Sequence, residues 1–514
     1  MIVPLSHPLP FIDDSAPRLA ELRALLARVG YTEEAAWARM GCEPVGVYRN
    51  PVDDGREPMP LDDALDLCIR MFMDGESVPR ERATELIGGD AIALLTSTGL
   101  LETVAEDDTK LRATVQLYPT QNVYIVSDRH FDGRVSSEVV TTDVVYPAIT
   151  WTVARYLEAI PRRTFGNVLE MCGGTGIAAL VLSPTAGRVW SSDITQRATD
   201  FAAFNARLNT VDNLTAVAGD MYAPVAGMQF DLIAAHPPYV PSLERKLIFR
   251  DGGAAGEEIT QRVVAESPRY LAPGGRLYCT CMGSDRVDAP FEQRIREWLG
   301  EAGTDCDIFF FQMQAHDPLV YYARAASSRR IGFDKIFDHL MPLKLLGVRE
   351  LLYGTIVIGK HDGSAPMITR RQELRAGATW RDIDWYIDFE TLVAQPDATE
   401  RVLAMRPVAR DGAAVAVRHS REKGEWNPTG AAVISPGPFS GEMTGPTWLA
   451  AILARCDGTR TVRELWQMLL DNGAIAAEWA PSELAAIVRM MIVAEILDVA
   501  EVPRPLATSS NGAA

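Results

Sequence analysis

The sequence is poor in cysteine, in histidine and in positive charge. Seven cysteines stand in 514 residues, at positions 42, 68, 172, 279, 281, 306 and 456, and no two form a Cys-x-x-Cys pair. An odd, scattered set excludes a disulfide framework and a ribbon-type zinc site. The seven histidines show no metal-ligand spacing, so no metal is expected. Long apolar runs are missing too: residues 485–500 are interrupted by Arg489, Glu495 and Asp498, so no membrane-spanning helix is expected. The start, Met1 to Pro8, lacks a basic segment leading into an apolar core, and the chain reads as cytoplasmic. Lys and Arg number 50 against 68 Asp and Glu, a net charge of −18. That balance opposes a duplex nucleic-acid partner held through its phosphates and favours a small-molecule or peptide substrate.

What is present is ordinary globular composition, 47% hydrophobic and 23% charged, at a length that predicts about three domains. Residues 1–140 read as a helical, winged-helix-like module. Amphipathic runs at Leu65 to Phe72 and Ala91 to Leu95 precede two β-like runs, Leu111 to Leu117 and Val123 to Ser127. Residues 60–127 carry five Lys or Arg against twelve Asp or Glu, so this module is expected to cover substrate or dock protein rather than bind DNA. Residues 141–361 alternate strands with helical runs, which predicts an α/β domain on a Rossmann-like, mostly parallel sheet. Within it, 315–352 reads as an insertion with helices of its own.

Residues 362–504 read as a C-terminal α+β accessory domain, ending in helices from Thr447 to Val499. Thr461 and Glu464 have capping-box spacing. The run from Asp457 to Val499 resembles compact helical modules that recognise peptides in natural-product pathways, although a structural or dimerising cap is the plainer reading. A homodimer is compatible with it. Residues 505–514 read as a disordered tail.

The chemistry concentrates between Val168 and Ser284. A strand ends in Glu170-Met171-Cys172-Gly173-Gly174-Thr175-Gly176 and runs into the helical stretch Ile177 to Leu182. Glycines at such a turn let backbone approach a ligand closely, and the helix N-terminus favours polar or anionic groups. An acidic residue, Asp193, closes the next strand, and Gly219-Asp220-Met221 follows a third. Asp231 to Ala235 then leads into His236-Pro237-Pro238-Tyr239, and Tyr270 to Tyr278 reads as helix, glycine turn and strand.

In this order the five signals resemble the class I S-adenosylmethionine-dependent methyltransferases, more narrowly the branch of release-factor glutamine and adenine-N6 methyltransferases. The resemblance implies an enzyme with S-adenosyl-L-methionine as cofactor. Asp193 would accept from the ribose hydroxyls and Asp220 from the adenine amino group, with Met221 packed on the adenine. Glu170, Cys172, Gly174 and Gly176 would hold the methionine end. His236, Pro237 and Tyr239 would be catalytic: the first side chain and the proline carbonyl accept N–H bonds from a planar nitrogen on which the tyrosine stacks.

Two positions depart from the family pattern. Cys172 replaces the usual first glycine, and its small side chain is expected to pack rather than react. His236 stands where the branch has Asn, Asp or Ser. Neutral histidine can accept one N–H or take a proton from a cationic acceptor. That loosens the case for glutamine, so an N-methyltransferase acting on a free amino acid or other small metabolite of specialised metabolism comes first. A release-factor-type protein glutamine N5-methyltransferase comes second, and a cofactor-binding regulatory scaffold is the alternative of another class. Glu257 and Glu258 follow a glycine-rich turn at a helix start; dipole complementarity accounts for both, and holding a substrate amine or guanidinium is the second option.

Overall fold

The computed structural model describes residues 9–12, 14–41, 59–129, 143–242, 247–327, 331–361, 363, 366–435, 437, 439 and 441–503. The expected tail, 505–514, and the start, 1–8, lie outside these. Two compact units form: Met1–Ile308 with Gln314–His361, and Phe309–Met313 with Asp362–Ala514.

The first unit is built on a large sheet. In chain order its elements are α1 (Trp151–Ala159), β1 (Phe165–Met171), α2 (Ile177–Leu182), β2 (Ala186–Asp193), α3 (Gln196–Leu208), β3 (Leu214–Ala218), β4 (Phe230–Ala235), α4 (Glu258–Tyr270), β5 (Leu271–Arg286), α5 (Phe291–Leu299), β6 (Cys306–His316, of which Phe309–Met313 count with the second unit) and β7 (Val348–Lys360). The strands lie in the order β6-β7-β5-β4-β1-β2-β3. Pairs β5/β4, β4/β1, β1/β2 and β2/β3 are parallel, and β7 runs antiparallel to β5. Leu232 to Ala235 have no exposure at all, as expected of a parallel strand covered on both faces. Thr150 and Thr195 cap α1 and α3 by accepting from Val153 N at 3.4 Å and Ala198 N at 3.0 Å. Two helices, Pro318–Ser327 and Ile336–Leu345, fill the expected insertion between β6 and β7.

The chain moves from β1 outward through β2 and β3, then returns to the other side of β1 as β4. Strand order therefore reverses between β1 and β4, and a crevice opens beyond their carboxyl ends.

The N-terminal elements belong to the same unit. Helices and a small antiparallel sheet (Val78–Pro79, Asp107–Ala113, Leu101–Val104) precede a hairpin of Gln116–Thr120 with Val123–Ser127. Gln121 and Asn122, both left-handed at φ +52° and +63°, make its two-residue turn. The run 111–117 is thus two strands, not one. Thr114 breaks it: its amide donates to Leu100 O at 3.2 Å and its hydroxyl to Gly99 O at 2.6 Å, which turns the chain out of the first sheet.

Helix α3 fastens the hairpin. Asn205 Oδ1 accepts from Val126 N at 2.8 Å, and its Nδ2 donates to Val126 O and Thr175 O at 3.0 Å each. One turn later Asn209 accepts from Tyr124 N at 2.8 Å and donates to Tyr124 O at 2.7 Å. Two side chains thereby act as a pairing strand for the hairpin edge. Arg197 adds a two-pronged, buried ion pair with Asp128.

The second unit combines strand β8 (Thr369–Glu373), helices α6 (Trp380–Val393) and α7 (Ala398–Ala404), and a three-stranded antiparallel sheet of Ala414–Glu422, Glu425–Ile434 and Glu442–Gly445. Helices Trp448–Leu453, Val462–Asp471 and α8 (Pro481–Val493) close it. The Thr461 capping box is formed in both directions: Thr461 N donates to Glu464 Oε2 at 2.7 Å and Glu464 N to Thr461 Oγ1 at 3.2 Å. Among the described residues no helix is long and apolar enough to cross a membrane.

Candidate active site

Four strand ends supply the site. At the end of β1, Glu170 is 1% exposed. Its Oε1 accepts from Ala178 N at 2.9 Å, satisfying the first turn of α2, and its Oε2 accepts from Ser191 Oγ at 2.8 Å. Burial dominates over these bonds and pushes the carboxyl up to about 7. The following loop needs left-handed backbone at Cys172, Gly174 and Gly176, with φ of +55°, +53° and +77°. A glycine is usual at such a place because a side chain is strained there; Cys172 accepts that strain, about 1–3 kcal/mol for a non-glycine residue. Burial, helped by Asp193 and Glu170, pushes its thiol far up, so it stays protonated. Around Gly174 no atom lies within 4 Å of where a side chain would begin, which leaves open space over the loop.

Asp193 ends β2 and shapes the loop from the other side. Its Oδ2 accepts from Gly174 N at 3.1 Å, and its Oδ1 accepts from Thr195 N at 3.0 Å and Thr195 Oγ1 at 3.1 Å. After β3, Asp220 Oδ2 accepts from Arg262 at 2.9 Å, and that guanidinium holds the carboxyl below its usual range. Asp220 Oδ1 is buried and has no hydrogen-bond partner. Met221 is left-handed at φ +49°. Cys172 lies within electrostatic reach of Asp193, Glu170, Arg262 and Asp220, which places these groups around one point.

At the end of β4, His236 meets a cluster of rings. It stacks on Tyr156 of α1 at 5.0 Å and 18°, and lies 5.5 Å from Tyr239. Tyr239 meets Tyr353 of β7 edge-on at 5.8 Å, and Tyr353 meets Trp151 at 5.3 Å. His236 Nε2 is buried without a partner. Desolvation pushes the imidazole down to about 4, so it is neutral at physiological pH. Pro237 is buried beside it.

The glycine-rich turn after this loop serves close approach. Gly252 N donates to Val240 O at 3.0 Å, and a side chain on Gly256 would come within 2.2 Å of Tyr239 O. The two acids that follow the turn face protein groups. Buried Glu257 accepts from Ser284 Oγ at 2.7 Å, from Arg286 at 2.8 Å and from both terminal nitrogens of Arg294. Exposed Glu258 accepts from Ala254 N at 3.2 Å, so it caps the turn.

Sequence reasoning did not single out Ser191, Asn205, Arg262, Tyr156, Trp151 or Tyr353. Asn205 and Asn209 left one trace, a pair of amides one turn apart on an otherwise apolar helix face. The others depend on contacts between distant segments.

Within this geometry residues 152–298 match the methyltransferase small domain family. Release-factor and uL3 glutamine methyltransferases are among the relatives. A ribosomal protein uL3 glutamine methyltransferase of Bradyrhizobium diazoefficiens is 31% identical over 160 residues, 28% of this chain and 50% of that protein. A release factor glutamine methyltransferase of Aquifex aeolicus is 26% identical over 165 residues, 30% of this chain and 59% of that protein. A uL3 glutamine methyltransferase of Burkholderia pseudomallei is 30% identical over 167 residues, 28% of this chain and 54% of that protein. The chain thus spans about half the length of the curated relatives it matches.

Proposed function

We propose that the first unit methylates the side-chain amide nitrogen of a glutamine in a protein, with S-adenosylmethionine as methyl donor. Sequence reasoning alone puts a free amino acid or metabolite first; the glutamine methyltransferases among the relatives reverse that order. The observation that carries the reading is the unpartnered, neutral Nε2 of His236, buried among rings at the carboxyl end of β4.

The residues fit the cofactor. Asp220 Oδ1 is a buried acceptor lacking a donor, as an adenine amino group requires. The open space over Gly174, beside Glu170, would take the amino-acid end, and half-buried Asp193 would hold the ribose. When bound, S-adenosylmethionine supplies an electrophilic methyl group.

The protein's task is then orientation. Neutral His236 accepts one N–H of the amide and the Pro237 carbonyl accepts the other, turning the nitrogen toward the methyl while Tyr239 stacks on the amide plane. Accepting both N–H bonds draws electron density onto nitrogen, and the rings of Tyr156 and Tyr353 keep water away. With its pKa near 4, His236 is a neutral hydrogen-bond acceptor that need not deprotonate the amide beforehand; the proton the nitrogen loses on methylation, far more acidic than imidazolium, would pass along that bond and on to solvent. Glu257 and Glu258 support the loop from behind rather than meeting substrate. A larger planar acceptor, a guanidine or aryl amine, is the second reading, favoured by the ring cluster of Trp151, Tyr156, Tyr239 and Tyr353.

The test is transfer of labelled methyl from S-adenosylmethionine to glutamine-containing proteins and peptides, their asparagine counterparts, free glutamine and free arginine. Label on the glutamine amide of a protein or peptide alone supports the reading. Label on free arginine alone replaces it with the second, and cofactor binding with no transfer to any acceptor favours a regulatory scaffold.

A further inference from the structure

A cavity of about 520 Å³ opens in the second unit, within the size range of small-molecule sites. Apolar side chains make most of its wall, among them Val393 of α6, Val402 of α7, Phe439, and Met490 and Val493 of α8, beside the polar Gln372, Thr399 and Ser482. At one end two cations meet a single acid. Arg489 donates to Glu390 Oε2 at 2.5 Å, and Arg370 Nε approaches the same oxygen at 3.4 Å. Glu390 is only 3% exposed, whereas the arginine side chains are 33% and 50% exposed.

Among the described residues no other acid lines the cavity, so its polar end carries one net positive charge. One carboxylate oxygen cannot use the donors of two guanidiniums, each with five N–H groups. Glu390 and, for Arg370 Nη1, the Thr369 carbonyl at 3.1 Å take some of these donors and leave most of them for something else. A bare inorganic anion would leave the apolar part of the wall uncovered. A single carboxylate on an apolar body satisfies both ends, with its charge on the guanidiniums and its body against α8.

We propose that this cavity binds a monocarboxylate carrying an apolar chain, and that Arg489 and Arg370 recognise the carboxylate. The site lies wholly in the second unit and stands independently of the methyl-transfer reading. Two sources share this chemistry, a free aliphatic acid and the C-terminus of an apolar peptide.

Calorimetric titration of the full chain with decanoate and with N-acetyl-Leu-Val-Leu, each beside its uncharged amide, tests the proposal. At least one carboxylate should bind at least tenfold more tightly than its amide. Arg489→Gln should weaken that binding at least tenfold, and Ala486→Trp, which places bulk at the cavity from an exposed position, should abolish it while circular dichroism stays unchanged. Binding of decanoate alone identifies a small acid, and binding of the peptide alone a chain terminus. Equal affinity for acid and amide, no binding of either carboxylate, or binding indifferent to both substitutions overturns it.

Discussion

Glu170→Gln should stabilise the first unit, by an amount that grows with pH. Glu170 is a buried carboxyl raised from 4.5 to about 7 by desolvation. An acid whose folded pKa exceeds its unfolded value binds its proton more tightly when folded. Its contribution is therefore most favourable below about 4.5 and is lost as pH rises to about 7, beyond which the loss is constant. A shift from 4.5 to about 7, at 1.36 kcal/mol per pKa unit, places that loss at under about 1 kcal/mol at pH 5 and about 3 kcal/mol at pH 8. Glutamine mimics the protonated acid: its oxygen can accept from Ala178 N and its amide can donate to Ser191 Oγ. Native-state hydrogen exchange of the β1 amides, compared between wild type and Glu170→Gln from pH 5 to 8 after correction for intrinsic rates, reads the difference. A gap that widens by about 2 kcal/mol supports the reasoning. A constant gap, or a variant less stable at pH 8, refutes it.

Four further outcomes follow from other contacts. The ratio of wild-type to His236→Asn methyl-transfer rates should stay constant from pH 6 to 8, because His236 titrates near 4; an inflection near 6.5 in that ratio would contradict the buried neutral imidazole. Gly256→Ala should reduce transfer at least tenfold with cofactor affinity unchanged, since its side chain overlaps the Tyr239 carbonyl; calorimetry and a transfer assay separate the two effects. Asn205→Ala should destabilise the hairpin by about 3 kcal/mol or more, as Val126 N, Val126 O and Thr175 O lose their partner at about 1–3 kcal/mol each, seen as faster exchange at Val126. Arg294→Met should lower the urea midpoint by an amount equivalent to about 3 kcal/mol, because Glu257 then keeps only Arg286 and Ser284 in a buried place.

The parallel core was legible because its signals are local. Strand-length apolar runs ended in glycine or acid, and the runs between them had room for one helix, so the strands that close at Glu170-Met171 and at Asp193 stand where the sequence pattern puts them. The glycine loop and His236 to Tyr239 were legible for the same reason, each being one short turn. What escaped depends on partners far away in the chain. Thr114 splits an apparently continuous strand because Gly99 and Leu100 wait for it. The π turn at Ile69–Met73 continues a helix whose apolar spacing gives no hint of it. Asn205 looks misplaced on a buried helix face until the hairpin edge from residues 123–127 arrives. Tyr353 stands 114 positions from Tyr239, and only the antiparallel pairing of β7 with β5 brings it to the ring cluster.

The most direct measurement compares wild type with His236→Ala in two assays on the same preparations: calorimetric binding of S-adenosylmethionine, and labelled-methyl transfer to a glutamine-containing protein acceptor. If His236 holds the acceptor and not the cofactor, as proposed, cofactor affinity should stay within about twofold while the transfer rate falls at least a hundredfold, about 2.7 kcal/mol at 1.36 kcal/mol per decade. Unchanged transfer, or loss of both together, would contradict it.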